Sequence, residues 1–122
     1  MEIDKELLKG SIAIIVLRII SNHDSYGYEI IKEIDDASNG RLSFKEGTLY
    51  PILHALEKEK LIESYWENSD VGRKRKYYRL TNEGESDLIR KMNDFQYFVD
   101  TVNMILGERG GNDELYNWIS QV

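Results

Sequence analysis

The densest chemistry in the chain lies between Arg73 and Arg79, where five of seven positions are Lys or Arg and none is acidic. Arg73, Lys74, Arg75 and Lys76 are consecutive, and a run of guanidinium and ammonium groups suits phosphate oxygens. A solvated surface turn would give the same run. Strand side chains alternate, so Arg75 and Lys76 cannot both address one partner in the same way. A second polar group precedes this run. Lys45, Thr48, Tyr50 and His54 fall largely outside the apolar face Leu49, Ile52, Leu53 and Leu56 of a predicted helix. Their place near the helix start suits an element that inserts its N-terminal end into the major groove of DNA. Thr48 and Tyr50 suit phosphates or a thymine methyl, and His54 a base edge or a phosphate. The alternatives are a Tyr50 packed under the basic hairpin and a His54 that is an ordinary surface residue. Ser25 and Tyr26, at the start of the preceding helix, are candidates for backbone contact through a helix N-terminus.

Catalytic chemistry is poorly represented. The chain has two histidines, His23 and His54, on different predicted elements, and no cysteine. No nucleophile, base and orienting group arrive at a recognisable spacing. Disulfides and thiolate zinc sites are excluded by composition, and no catalytic residue, metal or cofactor is expected. The segment 107–111, rich in glycine, is a linker and not a phosphate loop, because no strand precedes it and no Gly-Lys-Ser/Thr follows.

These groups need positioning, and the predicted elements supply it. The 122 residues make one domain's worth of chain, with 41% hydrophobic and 31% charged residues. Residues 4–22 read as one helix with Asp4 as N-cap, and Leu7, Leu8, Ile12, Ile15, Val16, Ile19 and Ile20 at helical spacing. Ile14 and Leu17 add a second apolar face that a partner subunit would cover. A second helix starts near Tyr26 with Ser25 as N-cap, buries Tyr28, Ile30, Ile31 and Ile34, and closes at Gly40. Residues 41–43 are long enough for a very short strand. The third helix spans about 45–60, with Ser43 and Glu46 at capping-box spacing and Pro51 inside it, which predicts a tightened or bent first half. Lys45 or Glu46 is the alternative start. Residues 61–66 and 76–80 alternate as two strands around the basic turn, and Tyr78 is assigned to the core. Thr81 caps a last long helix over 82–106. Its apolar residues Leu88, Met92, Phe95, Val99, Val102 and Leu106 step by 4, 3, 4, 3 and 4, which is a coiled-coil seam. Ile89, Phe98 and Ile105 widen it. With Ile12 and the surplus of the first helix, this seam reads as a dimer interface; the alternative is a helix folded back on its own domain. Residues 112–122 suit one more short helix with Leu115, Trp118, Ile119 and Val122 on one face.

Net charge is −6, which taken globally argues against nucleic acid. The distribution says something different. Residues 1–80 carry 13 Lys/Arg against 14 Asp/Glu, whereas residues 81–122 carry 3 against 8. DNA responds to the field within about a Debye length, ~8 Å at physiological salt, more than to the sum over a molecule.

Helix, strand, basic turn, strand is the winged helix-turn-helix pattern. The segments Ser25-Tyr26-Gly27-Tyr28-Glu29-Ile30, Gly47-Thr48-Leu49-Tyr50-Pro51-Ile52-Leu53, Leu56-Glu57-Lys58-Glu59-Lys60-Leu61-Ile62 and Arg75-Lys76-Tyr77-Tyr78-Arg79-Leu80-Thr81-Asn82-Glu83-Gly84 closely resemble the PadR-like transcriptional regulators. The resemblance covers residues 5 to about 106 and points to the smaller subfamily with one long C-terminal helix. It implies a homodimeric winged helix that binds double-stranded operator DNA, usually as a repressor. It also implies that the last helix packs on the first helix of the partner. In drug-binding relatives an aromatic on the last helix stacks on planar ligands at the dimer centre. Phe95 falls near that position, where the best-known examples use tryptophan, so a small planar, phenolic or drug-like effector is a further implication.

The expected architecture is therefore mostly α with a small β-wing. Residues 1–81 form a winged helix-turn-helix DNA-binding domain, 82–106 a dimerisation helix, and 107–122 a linker with a short helical extension. With no apolar run near the ~20 residues of a spanning helix and no secretory pattern, no membrane association and a cytoplasmic location are expected. The rival function is a winged helix used for protein–protein contact without effector sensing.

Overall fold

The computed structural model describes residues 3–107, and the chain divides between Lys91 and Met92 into two compact units. In the first unit, α1 (Lys5–Lys9) starts on Asp4, whose carboxylate accepts the Glu6 N–H at 2.8 Å. The expected single helix over 4–22 is broken. Gly10 and Ser11 form a turn in which the Ser11 N–H donates to the Leu8 carbonyl at 2.9 Å, and α2 (Ile12–Asn22) begins afresh. Glycine is a poor helix former, and here the pattern of apolar residues on both sides hides the break. Val16, Leu17, Ile19 and Ile20 are buried. Leu17, expected to need cover from a partner, is already enclosed by its own chain.

Ser25–Tyr26 forms strand β1, and α3 (Gly27–Ala37) follows with Tyr26, not Ser25, at the N-cap. Ile30 and Ile34 are buried, but Tyr28, expected among them, is 61% exposed. It lies two and six residues before those isoleucines, roughly 100° or more round the helix from their face. Asn39 and Gly40 both take positive φ, and the Gly40 N–H donates to the Asp35 carbonyl at 2.8 Å, closing α3 as expected. Residues 41–43 form no strand. Their polar groups are met locally instead: the Leu42 N–H donates to the Ser38 hydroxyl at 3.0 Å, and the Ser43 hydroxyl to Asp35 at 2.8 Å. The capping box of Ser43 with Glu46 does not form, because the helix that follows begins with Lys45 at its N-cap, two residues past Ser43.

Helix α4 (Glu46–Lys58) starts from Lys45, whose carbonyl accepts both the Thr48 and the Leu49 N–H at 3.0 Å. The first of these is a 3₁₀-type bond, so the turn before Pro51 is tightened. Leu49, Leu53 and Leu56 are buried. Lys60 at φ +64° ends the helix, with the Leu61 N–H donated back to the Leu56 carbonyl at 3.0 Å. Strands β2 (Ile62–Asn68) and β3 (Lys74–Leu80) pair antiparallel from Ile62↔Leu80 to Asn68↔Lys74, further toward the tip than expected. The sheet order is β1-β3-β2, with Ser25 opposite Tyr78 and Tyr26 opposite Tyr77. Ile62 and Tyr78 join the leucines of α4 and the isoleucines of α2 and α3 in one core.

Helix α5 (Asn82–Leu106) is anchored at its start. The Thr81 hydroxyl accepts the Gly84 N–H at 2.9 Å and donates to the Lys60 carbonyl at 2.8 Å. Gly84 sits directly on the chain between α4 and β2: a Cβ there would lie 1.9 Å from the Leu61 carbonyl oxygen. Leu88 is buried in this first unit. In the second unit, α5 carries Met92, Phe95, Phe98, Ile105 and Leu106 exposed, with Val99 and Val102 half-buried. Gly107, at φ +85°, donates its N–H to Asn103 at 2.8 Å and closes the helix. The expected linker beyond Gly107 and the helix over 112–122 lie outside the described residues. No described helix is long and apolar enough to cross a membrane.

The contact at Gly84 is backbone against backbone, so no rotamer change relieves a Cβ there. Gly84→Ala is expected to cost about 1–3 kcal/mol, the ordinary range for overpacking, read as a lower urea midpoint with an unchanged slope.

Candidate nucleic-acid interface

The buried leucine stripe of α4 leaves its opposite side free. Lys45, at the N-cap, and Thr48 and His54, outside the stripe, are exposed. Tyr50 stands at the flank, 38% exposed. Its hydroxyl lies against the start of α3, where a Cβ on Gly27 would be 2.7 Å away. Gly27 thus allows the two helices to approach with the tyrosine edge still open to solvent.

Arg73 and Lys74 are exposed at the hairpin tip, with the turn held by the Ser69 N–H donating to the Arg73 carbonyl at 2.6 Å and by Gly72 at φ +79°. Arg75 and Lys76 are half-buried and point to opposite sides of the sheet. The Arg75 guanidinium lies 4.4 Å from the Tyr26 ring centre. Tyr26 meets Tyr77 edge-on at 5.5 Å, Tyr77 stacks on Tyr65 at 5.7 Å, and the Arg79 guanidinium covers Tyr65 at 5.1 Å. Arg79 also pairs with Glu63 at 2.8 Å. One side of the sheet therefore carries a continuous row of two guanidiniums and three tyrosines. Cation–π and aromatic contacts of this kind hold the hairpin stiff. Sequence reasoning missed the row because it depends on the register that pairs Tyr65 with Tyr77 and Tyr26 with Tyr77.

The turn before β1 locks the hairpin to the helices. The Tyr65 hydroxyl donates to Asp24 at 2.6 Å across 41 residues of sequence, and this bond to a carboxylate pushes the Tyr65 pKa up to about 12. His23 Nδ1 lies 2.9 Å from the Asp24 carbonyl and Nε2 2.6 Å from Glu33. The first contact, then the second, raises the His23 pKa, because both ring nitrogens face acceptors that favour the imidazolium. Ser25 is fully buried and donates its hydroxyl to the His23 carbonyl at 2.9 Å. Its side chain is turned inward, so only its backbone is left for the contact expected at this helix start. Tyr26 is half-buried under Arg75.

The expected pairing residues separate in the same way. Leu88 is enclosed in its own core and leaves the proposed seam. Ile12 is half-buried against that core. Met92, Phe95, Val99, Val102 and Leu106 remain exposed or half-buried. No cluster of three metal-ligating side chains occurs among the described residues.

A mostly helical fold with a three-stranded antiparallel sheet, a hairpin after the third long helix and a long last helix can be compared with known proteins. Residues 16–90 match the model of the transcriptional regulator PadR-like family. The chain belongs to that family. It is 38% identical over 98 residues, covering 78% of this chain and 90% of the other, to an uncharacterized protein X of Lysinibacillus sphaericus. A PadR-like transcriptional regulator from Bacillus cereus superposes with a TM-score of 0.74 at 34% identity, covering 86% of this chain and all (100%) of that one. A PadR family transcription regulator from Clostridium difficile gives 0.71 at 38% identity, over 80% and 99% of the two chains. The PadR-like resemblance read from the motifs and the winged-helix architecture are both borne out. The chain is a DNA-binding transcriptional regulator of this family, and the family is one of regulators and not of enzymes.

The His23 cluster gives a pH dependence of known sign. A raised folded pKa stabilises the fold below the ordinary histidine value of 6.5, and the contribution disappears as pH rises through the folded value. His23→Gln is therefore expected to lower stability at about pH 5.5 and to be near neutral at about pH 8.5. The difference should stay below about 1 kcal/mol because the cluster is solvent-facing. Urea titrations at the two pH values check it.

Proposed function

We propose that this PadR-like protein is a homodimeric repressor that reads a duplex operator with α4 and the β2–β3 wing. The observation that carries the reading is the exposure of Lys45 at the start of α4 and of Thr48 and His54 off its leucine stripe, in a unit whose hairpin is tipped by the exposed Arg73 and Lys74. Lys45, Thr48, Tyr50 and His54 would enter the major groove, and Arg73 and Lys74 would meet phosphates. Arg75 and Tyr26, engaged with each other, would contribute less directly. Residues 1–81 do the reading in this account. The later part of 82–106 pairs two copies through Met92, Phe95, Val99, Val102 and Leu106, whose 3.5-residue spacing suits a coiled seam. Repression is the outcome the family resemblance implies. Phe95, 41% exposed on that seam, is the side chain on which a planar aromatic effector would stack; calorimetric titration of such compounds, lost in Phe95→Ala, tests that part.

Two outcomes are expected. Each neutralised phosphate contributes about 0.9 to the slope of log affinity against log salt. Arg73→Ala with Lys74→Ala should therefore flatten the slope by about 1.8 in gel shifts on the DNA upstream of the protein's own gene. An unchanged slope would remove the wing from the interface, and no shift with the intact protein would favour the protein–protein alternative. Placing charges in the seam, Val99→Glu with Val102→Glu, should convert the dimer to monomer in sedimentation. It should also weaken operator binding about a hundredfold or more, because the second half-site no longer binds intramolecularly.

A further inference from the structure

The two sides of the wing are chemically different. Pleating places Glu63, Tyr65 and Glu67 with Arg75, Tyr77 and Arg79 on one side, and Ser64, Trp66 and Asn68 with Lys74, Lys76 and Tyr78 on the other. On the first side two guanidiniums face two carboxylates, and both guanidiniums already cover tyrosine rings. On the second side Lys74 and Lys76 have no acid directly across the ladder, and the Lys76 ammonium lies 5.7 Å from the Tyr78 ring centre; the nearby carboxylate is Glu57 of α4. That second side looks toward α4: the Ser64 hydroxyl donates to Glu57 of α4 at 2.6 Å, and Tyr78 is buried beneath it. Trp66, directly across the ladder from Lys76, is 65% exposed on it. An exposed indole directly across the ladder from the Lys76 ammonium, with Lys74 further along the same side, is a surface that suits a sugar–phosphate chain.

We propose that Trp66 is a DNA-contacting residue of the wing. Its ring packs on deoxyribose in the minor groove beside the α4 half-site, and Lys74 and Lys76 pair with the flanking phosphates. The indole Nε1–H is a donor and has no acceptor role. In the minor groove A·T pairs offer only the acceptors A N3 and T O2, whereas G·C adds a donor amino group. Trp66 therefore favours A·T pairs at the flanks of the operator. This inference rests on the DNA-reading role of the wing and adds to it a side chain and a base preference.

The test is selection of duplexes from a random-sequence pool by the wild-type protein, Trp66→Ala and Trp66→Phe, followed by affinity measurement on the wild-type-selected duplex. The expected result is one shared central half-site, with A·T enrichment at the flanks for the wild type alone. Trp66→Ala should bind that duplex about tenfold more weakly, as for loss of one aromatic–nucleotide contact. Its salt slope should not change, because a neutral side chain releases no counterions, whereas Lys76→Ala should lower the slope by about 0.9. Trp66→Phe should keep part of the affinity but lose the A·T preference. Identical flanks and affinities within about twofold would overturn the proposal while leaving the α4 reading intact. Weaker binding with a reduced dimer fraction would reassign Trp66 to contact between copies and also overturn it. Failure of the wild type to select any sequence would overturn the DNA-reading function itself and this inference with it.

Discussion

Leu49, Leu53 and Leu56 decide which side of α4 solvent sees. Once these three are buried with Ile30, Ile34, Ile62 and Tyr78, the helix has one orientation, and Thr48 and His54 are left outside. Burial of a leucine side chain is worth about 1.5–3 kcal/mol relative to exposure, so no surface contact on the free side competes with the stripe. The free face is thus a by-product of the core, available for recognition without cost to the fold. Gly27 and Gly84 serve the same end: each lets a neighbour approach closer than a Cβ allows, Tyr50 in one case and the Leu61 backbone in the other.

The hairpin solves a different problem. A two-stranded ribbon is marginal by itself, and this one carries a cluster of like charges at its tip. It is stiffened by the tyrosine row and by Tyr65 bonding to Asp24. The row also sorts the cations. Arg75 and Arg79 are held on rings and face carboxylates, while Lys74 and Lys76 share the other side with Trp66. Five basic residues in seven positions therefore do not act as one patch, and the negative net charge of the chain says little about the field at the wing.

Much of the fold was legible in sequence because it rests on local periodicity. The stripe of α4, the closing of α3 at Gly40, the Thr81 cap and the uninterrupted last helix all followed from spacing and cap chemistry. Features that depend on distant partners were not. Gly10 breaks a pattern that reads straight through it. Ser43 has the spacing of a capping box but bonds to Asp35. The third strand is Ser25–Tyr26 and not residues 41–43, since only pairing with Tyr77 and Tyr78 creates it. Ser25 and Leu88 look like interface residues by position yet are enclosed by the fold, and Tyr28 is the reverse. The candidates on α4 keep their exposure because they fall off an amphipathic stripe, and Arg73 and Lys74 keep theirs because a run of like charges at a turn stays in water. The tyrosine row and the exposed Trp66 needed the strand register.

The central claim is that two copies of α4 and its wing read one duplex. Hydroxyl-radical footprinting of the intact protein on its selected operator tests this most directly. The account predicts two protected clusters related by a dyad, with centres about one helical turn or a multiple apart, each flanked by minor-groove protection from a wing. A single unrepeated cluster, or protection without flanking wing contacts, would contradict it.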